Sequence, residues 1–398
     1  MDSLFTFHNN IIQKASADFY RYLFETINWD QRMLAIKGPR GSGKTTLMLQ
    51  QIRYGLKLPA SKALYITADH HWFYTNTLYE TAEQFYLNGG RYLFIDEVHK
   101  YPRWSGELKN VYDGFPELKI VFSASSALDI FRGEADLSRR VISYELPGMS
   151  FREYLKLVGA GDFRTLSLRE IASDHENLTR NVTEKLQPLP IFREYLQTGY
   201  LPIIKESRKE EIPIIINQII NAVVESDLSA IEGFDTGTAR KIKKLLGVVA
   251  ESAPFKPNIS SLARKLDSSR DSVYAWLQFL ERARLLNSIR KESKGVSALQ
   301  KPDKIYLENT NLAYTLKPDP DIGSLRESFI MNQLLNAGHE VTMPETGDFF
   351  VDGFTIEVGG KSKSAEQIKK SDQPIIAADG IETGYGNKIP LWLFGFMY

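Results

Sequence analysis

The 398-residue chain contains no cysteine, which removes disulfide frameworks, thiolate zinc sites and cysteine nucleophiles from any account of it. It also lacks an excess of charge: Lys plus Arg and Asp plus Glu both number 49. No overall positive field advertises nucleic acid, although a local patch stays open. Missing too is any run approaching the ~18 apolar residues of a membrane helix. Met1-Asp2-Ser3-Leu4-Phe5 lacks the basic start and apolar core of a secretory signal. The longest apolar stretches, Ile212 to Ile220 and Leu391 to Tyr398, read as buried elements. The expectation is a cytoplasmic protein without membrane contact. Its 43% hydrophobic and 25% charged residues are ordinary for a folded chain of two or three domains.

Against these absences stands one strong local signal. Gly38-Pro39-Arg40-Gly41-Ser42-Gly43-Lys44-Thr45-Thr46 fits the phosphate-loop pattern, GxxxxGK followed by Ser or Thr, at every specified position. Met33-Leu34-Ala35-Ile36 is an apolar strand leading in, and Leu47, Met48, Gln50 and Gln51 suit a helix leading out. Glycines let backbone N–H groups wrap a phosphate, Lys44 sets a charge against the outer phosphates, and the Thr45 hydroxyl is placed to ligate magnesium. The cofactors expected are ATP and Mg2+.

Downstream, Ala63-Leu64-Tyr65-Ile66 reads as a strand ending near Asp69, and Tyr92-Leu93-Phe94-Ile95 runs as a strand into Asp96 and Glu97. Adjacent carboxylates on an extended strand point to opposite sides, so Asp96 can face a hydrated magnesium while Glu97 faces the attacking water. Lys119 to Phe122 is a further strand ending in Ser123-Ala124-Ser125-Ser126, whose hydroxyls are sensor candidates or plain turn chemistry. Arg139-Arg140 precedes a strand-like segment, Val141 to Leu146; Arg140 is either an arginine finger or a surface arginine. No Asn-Lys-x-Asp guanine reader is present, so the Asp96-Glu97 pair suits ATP.

Taken together, GPRGSGKTT, the string FIDEVHKYPRW from Phe94, FSASS from Phe122 and LSRRVISYELPGMSFREYL from Leu137 resemble the AAA-type ATPases of the AAA_14 family. Members usually carry a C-terminal DUF4143 region, and the resemblance runs over essentially the whole chain. It implies an additional-strand ATPase core. Lys44 and Thr45 would lie on nucleotide and metal, Asp96 and Glu97 would be magnesium and catalytic acids, Ser123 or Ser125 a sensor, and Arg140 a finger. Ala124 stands where many relatives have glycine.

From Pro147 to about Leu228 the pattern is helical, broken at Gln187 to Pro190 and Thr198 to Pro202, and reads as a small helical lid. Ile259, Leu262, Ala263 and Leu266, then Val273, Trp276, Leu277 and Leu280, place two amphipathic helices around Asp267-Ser268-Ser269. With Arg264, Lys265, Arg270, Arg282, Arg284, Arg290 and Lys291 nearby and a two-stranded wing between Asn287 and Tyr306, this reads as a winged helix. Its partner is DNA, or it is a structural module whose cations form a solvated face.

The last hundred residues place a helix at Ser324 to Asn336 and strands at Glu340 to Thr342, Phe349 to Val351 and Phe354 to Val358. Glu327, Asp348, Glu357 and Lys361 on that frame resemble the acid-acid-lysine core of PD-(D/E)xK nucleases, as relatives with this region often do. Lys361 follows Glu357 by four residues instead of two, through Gly359-Gly360. Strand parity still puts both on one face if the path stays extended. A nuclease-derived scaffold without activity is the other reading.

The expected fold is α/β: a P-loop NTPase core with a parallel sheet at 1–150, a helical lid at 151–235, a winged-helix region at 236–308 and a small α/β nuclease-like domain at 309–398. The expected function is a Mg-dependent ATPase that rearranges the parts beyond its core. A slow nucleotide-dependent interaction switch and an ATP-gated DNA-acting enzyme are the alternatives. Besides ATP, a homo-oligomer or an unidentified protein partner is open.

Overall fold

The computed structural model describes residues 1–125, 137, 139–227, 234–252, 254–291 and 301–398. Ser126 and the 292–300 part of the expected wing lie outside them. The chain divides into two compact units, Met1–Gly148 and Met149–Tyr398. The segments expected separately at 151–235, 236–308 and 309–398 thus fall within one unit.

The first unit is built on a five-stranded sheet of β1 (Met33–Gly38), β2 (Ala63–Thr67), β3 (Tyr92–Asp96), β4 (Lys119–Ser125) and β5 (Ile142–Glu145), in the order β2-β3-β4-β1-β5. All pairings are parallel. Strands covered on both faces need apolar side chains at nearly every position, which is why β1, β3 and β4 appear in the sequence as continuous apolar runs. Alternation decides which face each residue serves. Met33 and Ala35 join Leu64, Ile66, Leu93, Ile95, Ile120 and Phe122 under α4 (Leu78–Leu87) and α5 (Trp104–Gly114). Leu34 and Ile36 join Tyr65, Phe94 and Val121 under Leu47 and Met48 of α3 (Lys44–Gln50), with Leu23 of α2 (Leu23–Thr26). The N-terminal α1 (Asp2–Ile12) straddles both clusters through Leu4 and Phe7.

Topology positions the site. From β1 the chain goes outward to β2, and from β4 it crosses over β1 to β5, so the order switches direction beside β1. Open parallel sheets bind ligands at such a switch, beyond the strand C-termini. Register sets Gly38 against Ser125 and Thr67 against Asp96, so these residues end their strands along that edge.

In the second unit, helices Phe151–Leu157, Leu168–Thr183, Pro188–Thr198 and Ile212–Ala222 are followed by Thr236–Ser252. Helices Ile259–Lys265 and Arg270–Arg282 lead into an antiparallel hairpin of β6 (Leu286–Ile289) and β7 (Lys304–Leu307), with Phe255 bridging Ile305 on its other side. The apolar stretch from Ile212 is a one-sided helix: Ile212, Ile216 and Ile220 are buried, while Ile214 is 60% exposed. The stretch from Leu391 is buried throughout.

A mixed sheet of β8 (Phe349–Val351), β9 (Phe354–Gly359), β10 (Pro374–Ala378) and β11 (Lys388–Pro390) completes the unit in the order β11-β10-β9-β8. Of the strand expected at Glu340 to Thr342, only an isolated bridge from Thr342 to Phe350 forms. Helix Ile322–Asn336 is buried on nearly all sides, and its Asn332 is paired: Nδ2 donates to Glu308 Oε1 at 3.0 Å, and the Tyr200 hydroxyl donates to the same oxygen at 2.7 Å, while Gln333 Oε1 and Asn336 Oδ1 are buried without a partner among the described residues. Pairing like that of Asn332 is what burial of polar groups demands. The segment expected as a lid packs within this unit: the Ser150 hydroxyl and Arg152 Nε donate to the Tyr398 carbonyl at 2.8 and 2.9 Å.

Candidate functional site

The loop Gly38–Thr46 leaves the C-terminal end of β1 and enters α3. Its first glycine is required by close approach, since a Cβ on Gly38 would lie 2.2 Å from the Leu146 carbonyl oxygen. Gly43, at φ 97°, holds the left-handed turn into the helix. Lys44 Nζ folds back over the loop, donating to the carbonyls of Gly38 and Pro39 at 2.8 and 2.9 Å. Ser42 is buried, and its Oγ has no hydrogen-bond partner.

Asp96 ends β3 at 5% exposure. Its Oδ2 accepts from Thr45 Oγ1 at 2.6 Å and from the Tyr65 hydroxyl at 2.7 Å. Its Oδ1 accepts from the Ser123 hydroxyl and, at 3.2 Å, from the Glu97 amide. The same amide donates to Ser123 Oγ at 2.9 Å. Ser123 is therefore engaged with Asp96 on the strand next door, while Ser125 lies buried opposite Gly38. Glu97 adopts φ 49°, a left-handed conformation uncommon for a side-chain-bearing residue, which turns its carboxylate out of the strand line. That carboxylate faces Arg40 Nη1 of the loop at 3.6 Å. Burial holds its pKa above the ordinary glutamate range, with Arg40 opposing and Asp96 reinforcing.

The oxygen set fits a hard divalent cation. Thr45 Oγ1 and Asp96 are in contact, and magnesium is commonly held by one or two carboxylates plus phosphate and water oxygens instead of an all-protein cage. Among the described residues no group of three or more His, Cys, Asp or Glu side chains forms such a cage. The unpartnered Ser42 hydroxyl and the Lys44 ammonium, resting on loop carbonyls, fit an anionic ligand at the same place.

Two contributors had little signal in the sequence. Tyr65 looked like one more apolar residue of β2. Arg21 is only 4% exposed, donating from Nη1 to the Ser42 carbonyl and from Nη2 to those of Pro147 and Gly148, both at 2.9 Å. It ties the phosphate loop to the end of the first unit. A lone arginine upstream of an apolar strand does not advertise that.

Arg140 is not brought to the loop. Its Nε and Nη2 hold Asp113 at 2.9 and 3.0 Å in the last turn of α5. It precedes the start of β5, and Ile142 there pairs with Leu34 near the start of β1. In a parallel sheet that is the edge opposite the strand C-termini, so Arg140 does not serve as a finger to the loop of its own unit.

Of the four residues set against a nuclease core, Glu327 and Asp348 come together on one lysine, and Lys361 is not the partner of Glu357. Lys304 Nζ lies between Glu327 Oε2, at 3.5 Å, and Asp348 Oδ1, at 3.6 Å, and the Tyr306 hydroxyl donates to Glu327 at 2.8 Å. Glu357, 3% exposed, is paired with Lys363 and not with Lys361. The physical reason is that β9 stops at Gly359. The chain then turns, the Lys363 amide donating to the Gly360 carbonyl at 3.0 Å, so strand parity no longer governs where residue 361 points.

Residues 30–155 match the AAA domain family AAA_14, so the first unit contains an AAA-type domain, the class of P-loop folds that bind ATP. Residues 189–321 match a domain of unknown function, DUF8612, which overlaps the 309–398 region expected as DUF4143 only at 309–321. The uncharacterized protein MJ1637 of Methanocaldococcus jannaschii is 26% identical over 387 residues, covering 90% of this chain and 81% of that protein. The likeness therefore spans both units. Two solved structures are similar at low scores. C. elegans PCH-2 has 14% identity and a TM-score of 0.23, over 69% of this chain and 67% of that one. A structure described for katanin self-assembly has 15% and 0.28, over 64% and 78%. Likeness at that level carries no weight for function. Among the described residues no helix is long and apolar enough to cross a membrane.

Proposed function

We propose that the chain is a magnesium-dependent ATPase whose nucleotide cycle at Gly38–Thr46 governs the activity of the second unit. The observation that carries this reading is the 2.6 Å contact between Thr45 Oγ1 and Asp96 Oδ2, which joins the phosphate loop to the buried acid at the end of β3. When bound, magnesium supplies charge neutralisation on the phosphate oxygens. Lys44 exchanges the carbonyls of Gly38 and Pro39 for phosphate oxygens, and the loop amides orient the anion. Asp96, buried and met by hydroxyls, would help hold the metal together with Thr45. Glu97, once released by Arg40, takes a proton from the attacking water; its raised pKa makes it a better base than an exposed glutamate. Ser123 fixes both acids, since one hydroxyl touches the Asp96 carboxylate and the Glu97 amide.

Lys44→Ala should abolish nucleotide binding, and Glu97→Gln should bind ATP while losing turnover. Hydrolysis unchanged in both variants would refute the assignment.

A second reading concerns the partner. We read the helices Ile259–Lys265 and Arg270–Arg282 with hairpin β6–β7 as a winged helix, which their order and the antiparallel pairing support. Residues 254–291 hold eight Lys or Arg against three Asp or Glu in a chain that is neutral overall. That favours duplex DNA as the partner. DNA-stimulated ATP turnover that weakens steeply with salt and is lost in Arg264→Ala/Arg270→Ala supports it; turnover indifferent to DNA removes it. No cleavage chemistry is assigned to Glu327, Asp348 and Glu357, because lysines already occupy them.

A further inference from the structure

Arg21 is 4% exposed and stands behind the phosphate loop, with its fork divided between two stretches of chain. Nη2 donates to the carbonyls of Pro147 and Gly148, both at 2.9 Å, and Nη1 donates to the carbonyl of Ser42 inside the loop. The first two bonds fix where the guanidinium lies, and the third fixes a loop peptide. In a planar trans peptide the C=O and the N–H point in opposite directions. The Ser42 oxygen is taken from the buried side. The Gly43 N–H of the same peptide is thereby turned towards the open side of the loop, where Gly43 and Lys44 are half-buried and Thr45 and Thr46 exposed. That N–H has no acceptor among the described residues.

Local sterics do not hold this peptide. Gly43 sits at φ 97° and, lacking a Cβ, tolerates either sign of φ, so the Ser42–Gly43 plane can turn over at little steric cost. The Ser42 hydroxyl is without a partner, and the Ser42 amide reaches the Pro39 carbonyl only at 3.3 Å. We propose that Arg21 is a positioning residue that acts through Ser42: by capturing that carbonyl from behind, it presets the Gly43 N–H as a phosphate donor before nucleotide arrives. The inference rests on the nucleotide reading above. A loop whose donors are already aligned loses less freedom on binding an anion. A turned peptide would instead aim the Ser42 oxygen, an acceptor, at the phosphate. Arginine suits the task because its rigid fork holds two directions at once, whereas an ammonium concentrates its charge at one point.

The test is binding of a fluorescent ADP analogue with magnesium to the full chain as wild type, Arg21→Lys and Arg21→Gln, each below its melting temperature, beside steady-state ATP turnover. Lysine keeps the charge and glutamine keeps a neutral donor, so neither strips every buried carbonyl of a partner. Both variants should bind the analogue about tenfold more weakly, the equivalent of one hydrogen bond to a charged group. KM for ATP should rise to match while kcat stays within about twofold, because the Gly43 amide meets the phosphate in bound ATP and in the transition state alike. A merely structural brace would lower the melting temperature and leave affinity and KM alone. Binding within about twofold of wild type in either variant overturns the proposal; retention by lysine alone would show that the charge of Arg21 matters and its fork does not. A fall in kcat at unchanged affinity overturns it too. If wild type does not bind the analogue, or Lys44→Ala binds it equally well, the nucleotide reading fails first, which keeps the two failures apart.

Discussion

Asp96, buried at the end of a strand in the first unit, and Glu327 and Asp348, half-buried on a helix and beside a strand in the second, are acids met by opposite partners. Hydroxyls of Thr45, Tyr65 and Ser123 surround Asp96, whereas the Lys304 ammonium lies between Glu327 and Asp348. Hydroxyl donors satisfy an acid without cancelling its charge, so Asp96 still attracts a cation. An ammonium supplies the cation itself and leaves the pair electrostatically closed. The comparison teaches that a cluster of acids announces metal chemistry only after its neighbours have been identified.

The largest effect that would sharpen this contrast is on turnover. Asp96→Asn should lower ATP hydrolysis on the order of a hundredfold or more, because a preorganised charge at the metal position is removed. Asp348→Asn, measured in the same assay, should leave hydrolysis within about twofold of wild type if its charge serves only Lys304. Next comes stability. Lys304→Met leaves two largely buried carboxylates without their cation and should cost about 3 kcal/mol in denaturant unfolding of the second unit. A loss under about 0.5 kcal/mol would show that the pair does not need its lysine.

Lys363→Ala should cost about 2 kcal/mol, less than a fully buried pair because the lysine is partly exposed, since it strips Glu357 of its partner. Lys361→Ala should stay within about 0.5 kcal/mol. Equal effects would restore Lys361 as the partner of Glu357.

The smallest effect is in pH dependence. Burial, then Asp348, raise the pKa of Glu327 above its ordinary 4.5. A carboxyl with a raised folded pKa contributes stability that is present below 4.5 and lost as pH rises through the folded value. Wild type should therefore lose stability relative to Glu327→Gln as pH climbs upward from about 4.5, readable in melting temperature against pH. A flat difference would mean that Lys304 and Tyr306 fully offset the burial.

Much of the first unit was legible because its determinants are local. A strand buried on both faces must be apolar throughout, so β1, β3 and β4 stand out as runs, and the loop glycines and Lys44 fall within one turn of chain. The second unit was harder for the same reason in reverse. Strands β10 and β11 are five and three residues long and carry little pattern of their own, and both went unrecognised. The segment at Glu340 to Thr342 looked like a strand from its residues but found a ladder partner only at Thr342. Lys361 was placed by strand parity, a rule that holds only while the backbone stays extended, and Gly359 ends that path. Arg140 stood near the site in sequence order, yet strand direction put it at the other edge.

By itself the sequence determined that a phosphate loop follows a buried strand and that an acidic pair ends another, since both follow from short-range backbone geometry encoded in consecutive residues. Only the tertiary structure decided what those acids touch. Tyr65, Asp96 and Ser123 come from three strands, Arg21 reaches Ser42 and Pro147 across wide stretches of chain, and Lys304 closes an acidic pair drawn from a helix and a strand edge. The reason is physical: a carboxylate becomes a cation site or a structural anchor according to the donors and charges packed around it, and packing brings together residues that no local pattern links.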